Sequence, residues 1–145
     1  MKILFICHAN VCRSFMAQEI MKQLLPQATV FSRGLYVEPE LEVPAKVLQF
    51  LAKQHLSPAP HRPTQLTAAD LEQADFVFCM EPGHLDILSD QYSQYIDKIW
   101  LLNDFAFEKE TAMEDPIGLT GRAFEKQAAQ LQKAVQACAH RLEKA

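Results

Sequence analysis

The chain has 145 residues, of which 49% are hydrophobic and 22% charged, values that exclude a disordered chain and are typical of one compact domain. Its net charge of −4 argues against nucleic acid or an anionic membrane as the main partner, because neither attracts an anion. The longest apolar runs, residues 3–7 and 76–80, are far shorter than a membrane span. We therefore expect a cytosolic protein with one domain over residues 1–145.

Short apolar runs alternate with amphipathic stretches along the chain. Strands are predicted at residues 2–6, 29–31, 76–80 and 98–102, and helices at 14–25, 47–56, 67–74, 83–88 and 124–142. Asp104 and Asp115 fall in a predicted loop, with Asp104 as a simple cap. Alternating strands and helices indicate an α/β fold in which helices cover both faces of a parallel sheet.

In such sheets, ligands bind beyond the carboxyl ends of the strands, often at a helix N-terminus. The connection after the first strand begins with Cys7 and, five residues later, reaches Arg13 and Ser14. This spacing is typical of a phosphate cradle, in which successive backbone N–H groups point at one anion and an arginine adds a planar fork. The candidate phosphate-binding residues are His8, Ala9, Asn10, Val11, Cys12 and Arg13. The same donors stabilise a thiolate at Cys7, which makes it a candidate nucleophile.

The run from Cys7 to Ser14 resembles the signature of low-molecular-weight protein tyrosine phosphatases, Cys-x-Gly-Asn-x-Cys-Arg-Ser, and Asp115-Pro116 resembles their downstream Asp-Pro pair. Further similar elements are Ser32-Arg33-Gly34, His61-Arg62, Gln65-Leu66-Thr67 and Ala74-Asp75, so the resemblance covers nearly the whole chain. It implies a four-stranded parallel sheet and hydrolysis of phosphotyrosine in proteins through a phosphocysteine, without a cofactor.

In the implied mechanism, Cys7 attacks phosphorus while Arg13 and the loop amides hold the phosphoryl group. Asp115 protonates the leaving oxygen and then acts as base on the hydrolytic water, which meets the need for a general acid. The resemblance further implies that four residues hold the loop by hydrogen bonds, with Ser14 also donating to the Cys7 sulfur. These four residues are Asn10, Ser14, Ser32 and His61.

Three positions depart from the family pattern. Ala9 replaces a glycine, so a loop position with a free backbone gains a Cβ. Phe15 replaces a proline that would favour the helix start. Ile117 stands where many members carry an aromatic residue, which leaves one wall of the phenol slot undefined, and Tyr36 is a candidate for a substrate-facing aromatic.

Other functions remain possible at this point. A zinc site at Cys7, His8 and Cys12 lacks a second ligand pair, so no metal is expected. A thiol-dependent arsenate reductase on the same scaffold needs further mobile cysteines, whereas Cys79 and Cys138 lie in apolar patterns and are predicted core residues. A protein arginine phosphatase is the nearest competitor, and a non-catalytic phosphate-binding or redox-sensing module is the last alternative.

Cys12 is also a candidate regulatory thiol. A sulfenic acid formed at Cys7 by mild peroxide condenses with a neighbouring thiol, and the curled loop is expected to bring Cys12 within disulfide reach. The sequence leaves the oligomeric state open, and a monomer is the working assumption.

Overall fold

A computed structural model describes residues 1–144 of the chain. Those residues form four strands, β1 (Lys2–Cys7), β2 (Thr29–Gly34), β3 (Phe76–Cys79) and β4 (Ile99–Leu101). They also form six α-helices, α1 (Arg13–Leu24), α2 (Ala45–Lys53), α3 (Ala68–Gln73), α4 (Pro82–Gln91), α5 (Leu102–Phe107) and α6 (Gly121–Glu143). Short 3₁₀ turns lie at Ser93–Lys98 and Pro116–Gly118. The predicted domain extends to Ala145, which lies outside the described residues.

The four strands form one parallel sheet in the order β2-β1-β3-β4, which confirms the predicted α/β class. Because strand side chains alternate between faces, β1 sends Ile3 and Phe5 to one face and Leu4 and Ile6 to the other. Helices α1, α2, α5 and α6 pack on the first face, and α3 and α4 on the second. All four β1 side chains are fully buried, and each contributes about 1.5–3 kcal/mol of apolar burial.

Two predictions are wrong, and the first of them matters for the site. Strand β2 continues to Gly34 rather than ending at residue 31, so Ser32 lies opposite Phe5 and Gly34 lies opposite Cys7 at the end of β1. Asp104 lies in the first turn of helix α5, not in a loop. This helix has only six residues, too few to show a periodic apolar pattern, and it forms because Leu102 and Phe105 pack into the core.

The strand order determines where on the sheet the candidate site lies. The chain leaves β1 for β2 on one side and later returns to β3 on the other, so the order reverses between β1 and β3. A crevice opens at such a reversal beyond the carboxyl ends of the strands. The residues that follow β1 and β3 therefore meet at one edge of the sheet. None of the helices within residues 1–144 is both long enough and apolar enough to cross a membrane.

Gly34 allows the loop after β1 to lie against the end of β2. The Leu35 N–H donates to the Cys7 carbonyl at 3.0 Å, and the Tyr36 N–H donates to the His8 carbonyl at 2.9 Å. A Cβ on Gly34 would lie 3.0 Å from both the His8 carbonyl oxygen and the Ala9 carbonyl carbon. Since backbone atoms cannot swing aside, the close approach needs glycine at this position.

We expect Gly34→Ala to lower the free energy of unfolding by about 1–3 kcal/mol, the usual cost of overpacking, and to displace the loop. Urea denaturation and the inhibition constant of inorganic phosphate measure the two effects. Gly83→Ala is the matched control, because a Cβ there meets nothing within 4 Å. Equal stability of the two variants would show that the loop does not depend on this contact.

Candidate active site

The loop between β1 and α1 runs between two buried side chains, Cys7 and Arg13. Cys7 is the last residue of β1 and Arg13 is the first residue of α1, with 3% and 2% of their surfaces exposed. Asn10 has a left-handed backbone with φ of 60°, a conformation that short polar side chains tolerate best. The non-glycine residues of the described chain with positive φ are Asn10, His55 and Glu108, so the Cβ of Ala9 meets no such strain.

The Asn10 side chain is fully buried and all its polar groups are bonded. Its amide nitrogen donates to Ser14 Oγ at 2.8 Å and to Ser32 Oγ at 2.9 Å, which uses both hydrogens. Its amide oxygen accepts from the Thr64 N–H at 3.0 Å. One side chain thus ties the loop to α1, to β2 and to the segment before α3.

These bonds also leave the Ser14 hydroxyl hydrogen free to point at the Cys7 sulfur. Ser32 accepts from Asn10 and gives its own hydrogen to Gln18 Oε1 at 2.6 Å. Ser14 likewise accepts from Asn10, which leaves its hydrogen for Cys7 Sγ at 2.9 Å. The Asn10 backbone N–H points at the same sulfur from 3.3 Å. Two donors therefore stabilise a negative charge on Cys7.

His61 supports the loop from outside. Its Nε2 lies 2.8 Å from the Asn10 carbonyl, which is only an acceptor, so Nε2 carries the hydrogen. Burial lowers the pKa of His61, against the opposing effect of that carbonyl. The ring stacks on Phe15 with centroids 4.3 Å apart, so the phenylalanine that replaces the family's proline has a contact of its own.

Arg13 is anchored by one of its terminal nitrogens. Nη1 donates to Glu81 Oε2 at 2.6 Å and to the Met113 carbonyl at 2.8 Å, which uses both of its hydrogens. The Nε–H and Nη2 edge of the guanidinium remains for a ligand, and this edge binds two oxygens of a phosphate side by side. Nη2 also lies 3.6 Å from Asp115 Oδ2.

Glu81 is a site residue that the sequence analysis missed. It directly precedes α4, just beyond the carboxyl end of β3, and an acid in that position could have been noticed as facing the crevice. Partial burial works to raise the pKa of Glu81, but the hydrogen bond and charge of Arg13 outweigh it and bring the pKa below its usual range. His84 Nε2 lies 3.5 Å from the same oxygen, and burial followed by the Arg13 charge lowers the His84 pKa to about 4. Glu81 is therefore charged and His84 neutral near pH 7.

Asp115 lies at the mouth of the loop, with 41% of its side chain exposed. One carboxylate oxygen accepts from the Ile117 N–H at 3.1 Å and caps the 3₁₀ turn Pro116–Gly118. The other faces Arg13. A carboxyl group beside the anion site and open to water can exchange protons with a substrate.

The other residues that the sequence analysis singled out lie either near the mouth of the loop or away from it. His8 and Tyr36 pack ring against ring at 5.3 Å, and Tyr36 and Ile117 are half-exposed apolar side chains. Val11 is buried in the loop. Within residues 1–144, no hydrogen bond or ion pair joins Asp104 to residues 7–13, and no cluster of three metal-ligating side chains is found.

The remaining cysteines are buried thiols. Cys12 lies in the loop, and its pKa rises to about 12 because of burial, with smaller effects from the charges of Asp115 and Cys7. Cys79 and Cys138 are fully buried in β3 and α6, which confirms them as core residues. Burial raises the pKa of both.

Comparison with known proteins assigns this chain to a family. The model of the low molecular weight phosphotyrosine protein phosphatases matches residues 2–145. The chain belongs to that family. A low molecular weight protein-tyrosine-phosphatase, PtpB of Staphylococcus epidermidis, is 32% identical over 118 residues, which cover 81% of this chain and 82% of the relative. A protein-arginine-phosphatase of Bacillus subtilis is 29% identical over 122 residues, or 81% of each protein.

The structure agrees with that placement. The low molecular weight protein tyrosine phosphatase from T. tengcongensis superposes with a TM-score of 0.90 and 29% identity, over 100% of this chain and 99% of the other. The predicted family, fold and enzyme class, a phosphoric monoester hydrolase, are confirmed. The roles of individual residues stay predictions that the geometry supports.

We expect Glu81→Ala to lower kcat/KM for an aryl phosphate by about tenfold or more, since a charge-assisted hydrogen bond on Arg13 is lost. Glu81→Gln keeps an acceptor for Nη1 and should retain most of the activity. Comparing the two variants separates the hydrogen bond that orients Arg13 from the negative charge of Glu81. Steady-state kinetics with p-nitrophenyl phosphate measures both variants. Activity of Glu81→Ala equal to that of the control Glu143→Ala would mean that Glu81 does not hold Arg13.

Proposed function

We propose that this protein hydrolyses phosphotyrosine in protein substrates through a phosphocysteine at Cys7. One observation carries the proposal: the Ser14 hydroxyl and the Asn10 N–H both point at the Cys7 sulfur, at the bottom of a loop closed by Arg13. A sulfur with two donors and an adjacent guanidinium is built to carry negative charge and to face an anion. A cysteine that only packs in the core needs neither the two donors nor the adjacent guanidinium.

The first step is attack of the Cys7 thiolate on phosphorus. The loop N–H groups and the free Nε–Nη2 edge of Arg13 bind the three non-bridging oxygens, whose charge they stabilise as the bond to the leaving oxygen breaks. Asp115, in its protonated form, gives its proton to that oxygen. The products of this step are phosphocysteine and tyrosine.

The second step returns the enzyme to its starting state. Asp115 is now a carboxylate and takes a proton from a water molecule, which attacks phosphorus opposite the sulfur. The phosphorus–sulfur bond breaks, and the Ser14 and Asn10 donors stabilise the thiolate that leaves. Inorganic phosphate is released.

A phenol fits the mouth of the site better than a short alcohol. Cys7 is almost fully buried, so the phosphate must reach it on an arm as long as that of tyrosine. Tyr36 and Ile117 offer apolar surface at the mouth, which suits an aromatic ring. Tyr36 thereby supplies an aromatic ring at the mouth, in place of the aromatic residue that many family members carry at the position of Ile117.

Arginine phosphatase activity is the second candidate, because a protein-arginine-phosphatase is among the relatives. One position that bears on the choice is 11, where the resemblance to the arginine-specific members implies a threonine and this chain has the apolar Val11. An apolar residue there offers no hydrogen bond to a guanidinium. This favours phosphotyrosine.

Arsenate reduction has less support from the structure. The thiols that would have to shuttle electrons, at Cys79 and Cys138, are fully buried on β3 and α6. Location in the cytoplasm, the monomeric state and the single domain over residues 1–145 stay predictions.

Asp115→Asn should lower kcat by about 10²–10⁴-fold, the size of a general acid–base contribution. The loss should be greater with phenyl phosphate than with p-nitrophenyl phosphate, because phenolate is the poorer leaving group and depends more on the proton. Asp104→Asn is the matched control and should behave as wild type. The same loss with both substrates would exclude Asp115 as the proton donor.

The ratio of kcat/KM for a phosphotyrosine peptide to that for a phosphoarginine peptide should be well above one. Val11→Thr should shift this ratio toward phosphoarginine, because it adds a hydrogen-bonding hydroxyl to the loop. Phosphate release from matched peptides that differ only in the phosphorylated residue gives both values. A wild-type preference for phosphoarginine would replace the proposed substrate with the second candidate.

Mild peroxide should inactivate the enzyme reversibly through a Cys7–Cys12 disulfide. Because the pKa of Cys12 is about 12, its thiolate fraction grows with pH, so disulfide formation should become faster as the pH rises. Peptide mapping after peroxide, followed by activity after dithiothreitol, tests the pairing. Recovery of Cys12→Ser as complete as that of wild type would exclude Cys12 as the resolving thiol.

A further inference from the structure

Lys46 joins helix α2 to the turn that carries Asp115. It is the second residue of α2, and its half-buried ammonium donates to the carbonyl oxygen of Ile117 and, at 2.7 Å, to that of Leu119. The ammonium also lies 5.2 Å from the centre of the Phe124 ring. Lys46 thus bonds two residues of segment 116–119, which directly follows Asp115.

The hydrogen bonds within this segment determine only its local shape. Leu119 N–H donates to the Pro116 carbonyl at 2.9 Å, and Asp115 itself caps the turn. Such bonds hold the turn together wherever it lies. The position of Asp115 relative to Arg13 must come from contacts with the rest of the fold.

Contacts of that kind exist on both sides of Asp115. Before it, the Met113 N–H donates to the Met80 carbonyl at 2.7 Å, and the Met113 carbonyl accepts from Arg13. After it, Pro116 is buried, but apolar packing has no preferred direction. Asp115 itself lies 3.6 Å from Arg13, at the upper end of the range for an ion pair. The two Lys46 bonds are directional and end on a helix, so they help to hold the downstream half of the segment in place.

The position of Lys46 within helix α2 independently indicates that this residue holds the turn after Asp115. The first turn of a helix is the positive end of the helix dipole, where a cation is unfavourable, and the first turn of α2 holds no acid. A lysine there works against helix stability, and the contacts it makes with the turn offset that effect. The position therefore serves the turn rather than the helix.

We propose that Lys46 is a positioning residue for catalysis, holding the Asp115 carboxyl within reach of the leaving oxygen. The proposal rests on the proposed role of Asp115 as general acid. Within residues 1–144, the hydrogen bonds of Lys46 go to the turn and not to loop residues 7–13, and its charge has only a small effect on the Cys12 thiol. Its main effect should therefore pass through proton transfer by Asp115 rather than through phosphate binding.

The test compares Lys46→Met, which keeps the aliphatic stem, with Lys53→Met. Lys53 is the matched control, since it lies on the same helix and also bridges to α6, through Glu125, without touching residues 116–119. Lys46→Met should lower kcat for phenyl phosphate by about tenfold, the scale expected from a small misplacement of a catalytic group, and less for p-nitrophenyl phosphate. KM and inhibition by inorganic phosphate should not change. Lys46→Arg keeps the donors and should restore most of the rate.

The decisive experiment combines Lys46→Met with Asp115→Asn in one double variant. If Lys46 acts through Asp115, kcat of the double variant should be no lower than kcat of Asp115→Asn alone. If Asp115→Asn alone has no effect, the proposed role of Asp115 fails. If Asp115→Asn is impaired, the Lys46 proposal is overturned by any of three results: wild-type rates in Lys46→Met, an undiminished loss in the double variant, or a change confined to KM. Thermal unfolding checks the fold, and Lys46→Gln replaces Lys46→Met on the same substrates should the latter not fold.

Discussion

The site depends on the left-handed turn of the backbone at Asn10. For an L-residue this conformation costs about 1–2 kcal/mol, and it persists only where the surroundings hold it. They do so here through the Asn10 amide, which bonds Ser14, Ser32 and Thr64, and through the Asn10 carbonyl, which bonds His61. Each bond is worth about 0.5–1.5 kcal/mol net, so together they exceed the strain.

The same bonds make the loop chemically useful. With both amide hydrogens of Asn10 committed to hydroxyl oxygens, the hydrogens of Ser32 and Ser14 must go elsewhere, to Gln18 and to the Cys7 sulfur. A structural network and the stabilisation of a thiolate are therefore one arrangement. Arg13 is divided in a similar way, with one nitrogen given to Glu81 and Met113 and the opposite edge left for a phosphate.

The sequence predicted what lies within one segment better than what depends on register between segments. Cys7, Arg13 and Ser14 belong to one connection whose spacing is visible in the chain, and Asp115 came only from the family resemblance. Glu81 could be noticed as an acid at the end of β3, but its contact with Arg13 depends on β3 lying beside β1 at the reversal of strand order. Lys46 was missed for a stronger reason: its acceptors are backbone carbonyls, which leave no trace in a sequence.

Two details show how neighbours change the meaning of a substitution. Ala9 looked like the difficult position of the loop, yet the positive φ falls on Asn10, so a Cβ at position 9 is harmless. Phe15 looked like a poorer helix start than proline, yet its ring stacks on His61, the residue that holds the Asn10 carbonyl. In both cases the cost expected from local geometry is absent or offset by a contact made elsewhere.

We propose that Cys7 carries the phosphoryl group during turnover. Rapid acid quenching of the enzyme with excess p-nitrophenyl phosphate, followed by peptide mass spectrometry, measures this directly. We expect one phosphoryl group on the sulfur of Cys7, and none on the peptide from Arg13→Ala, which cannot hold the phosphate. Turnover with no phosphoryl group on Cys7, or undiminished turnover by Cys7→Ser, would contradict it.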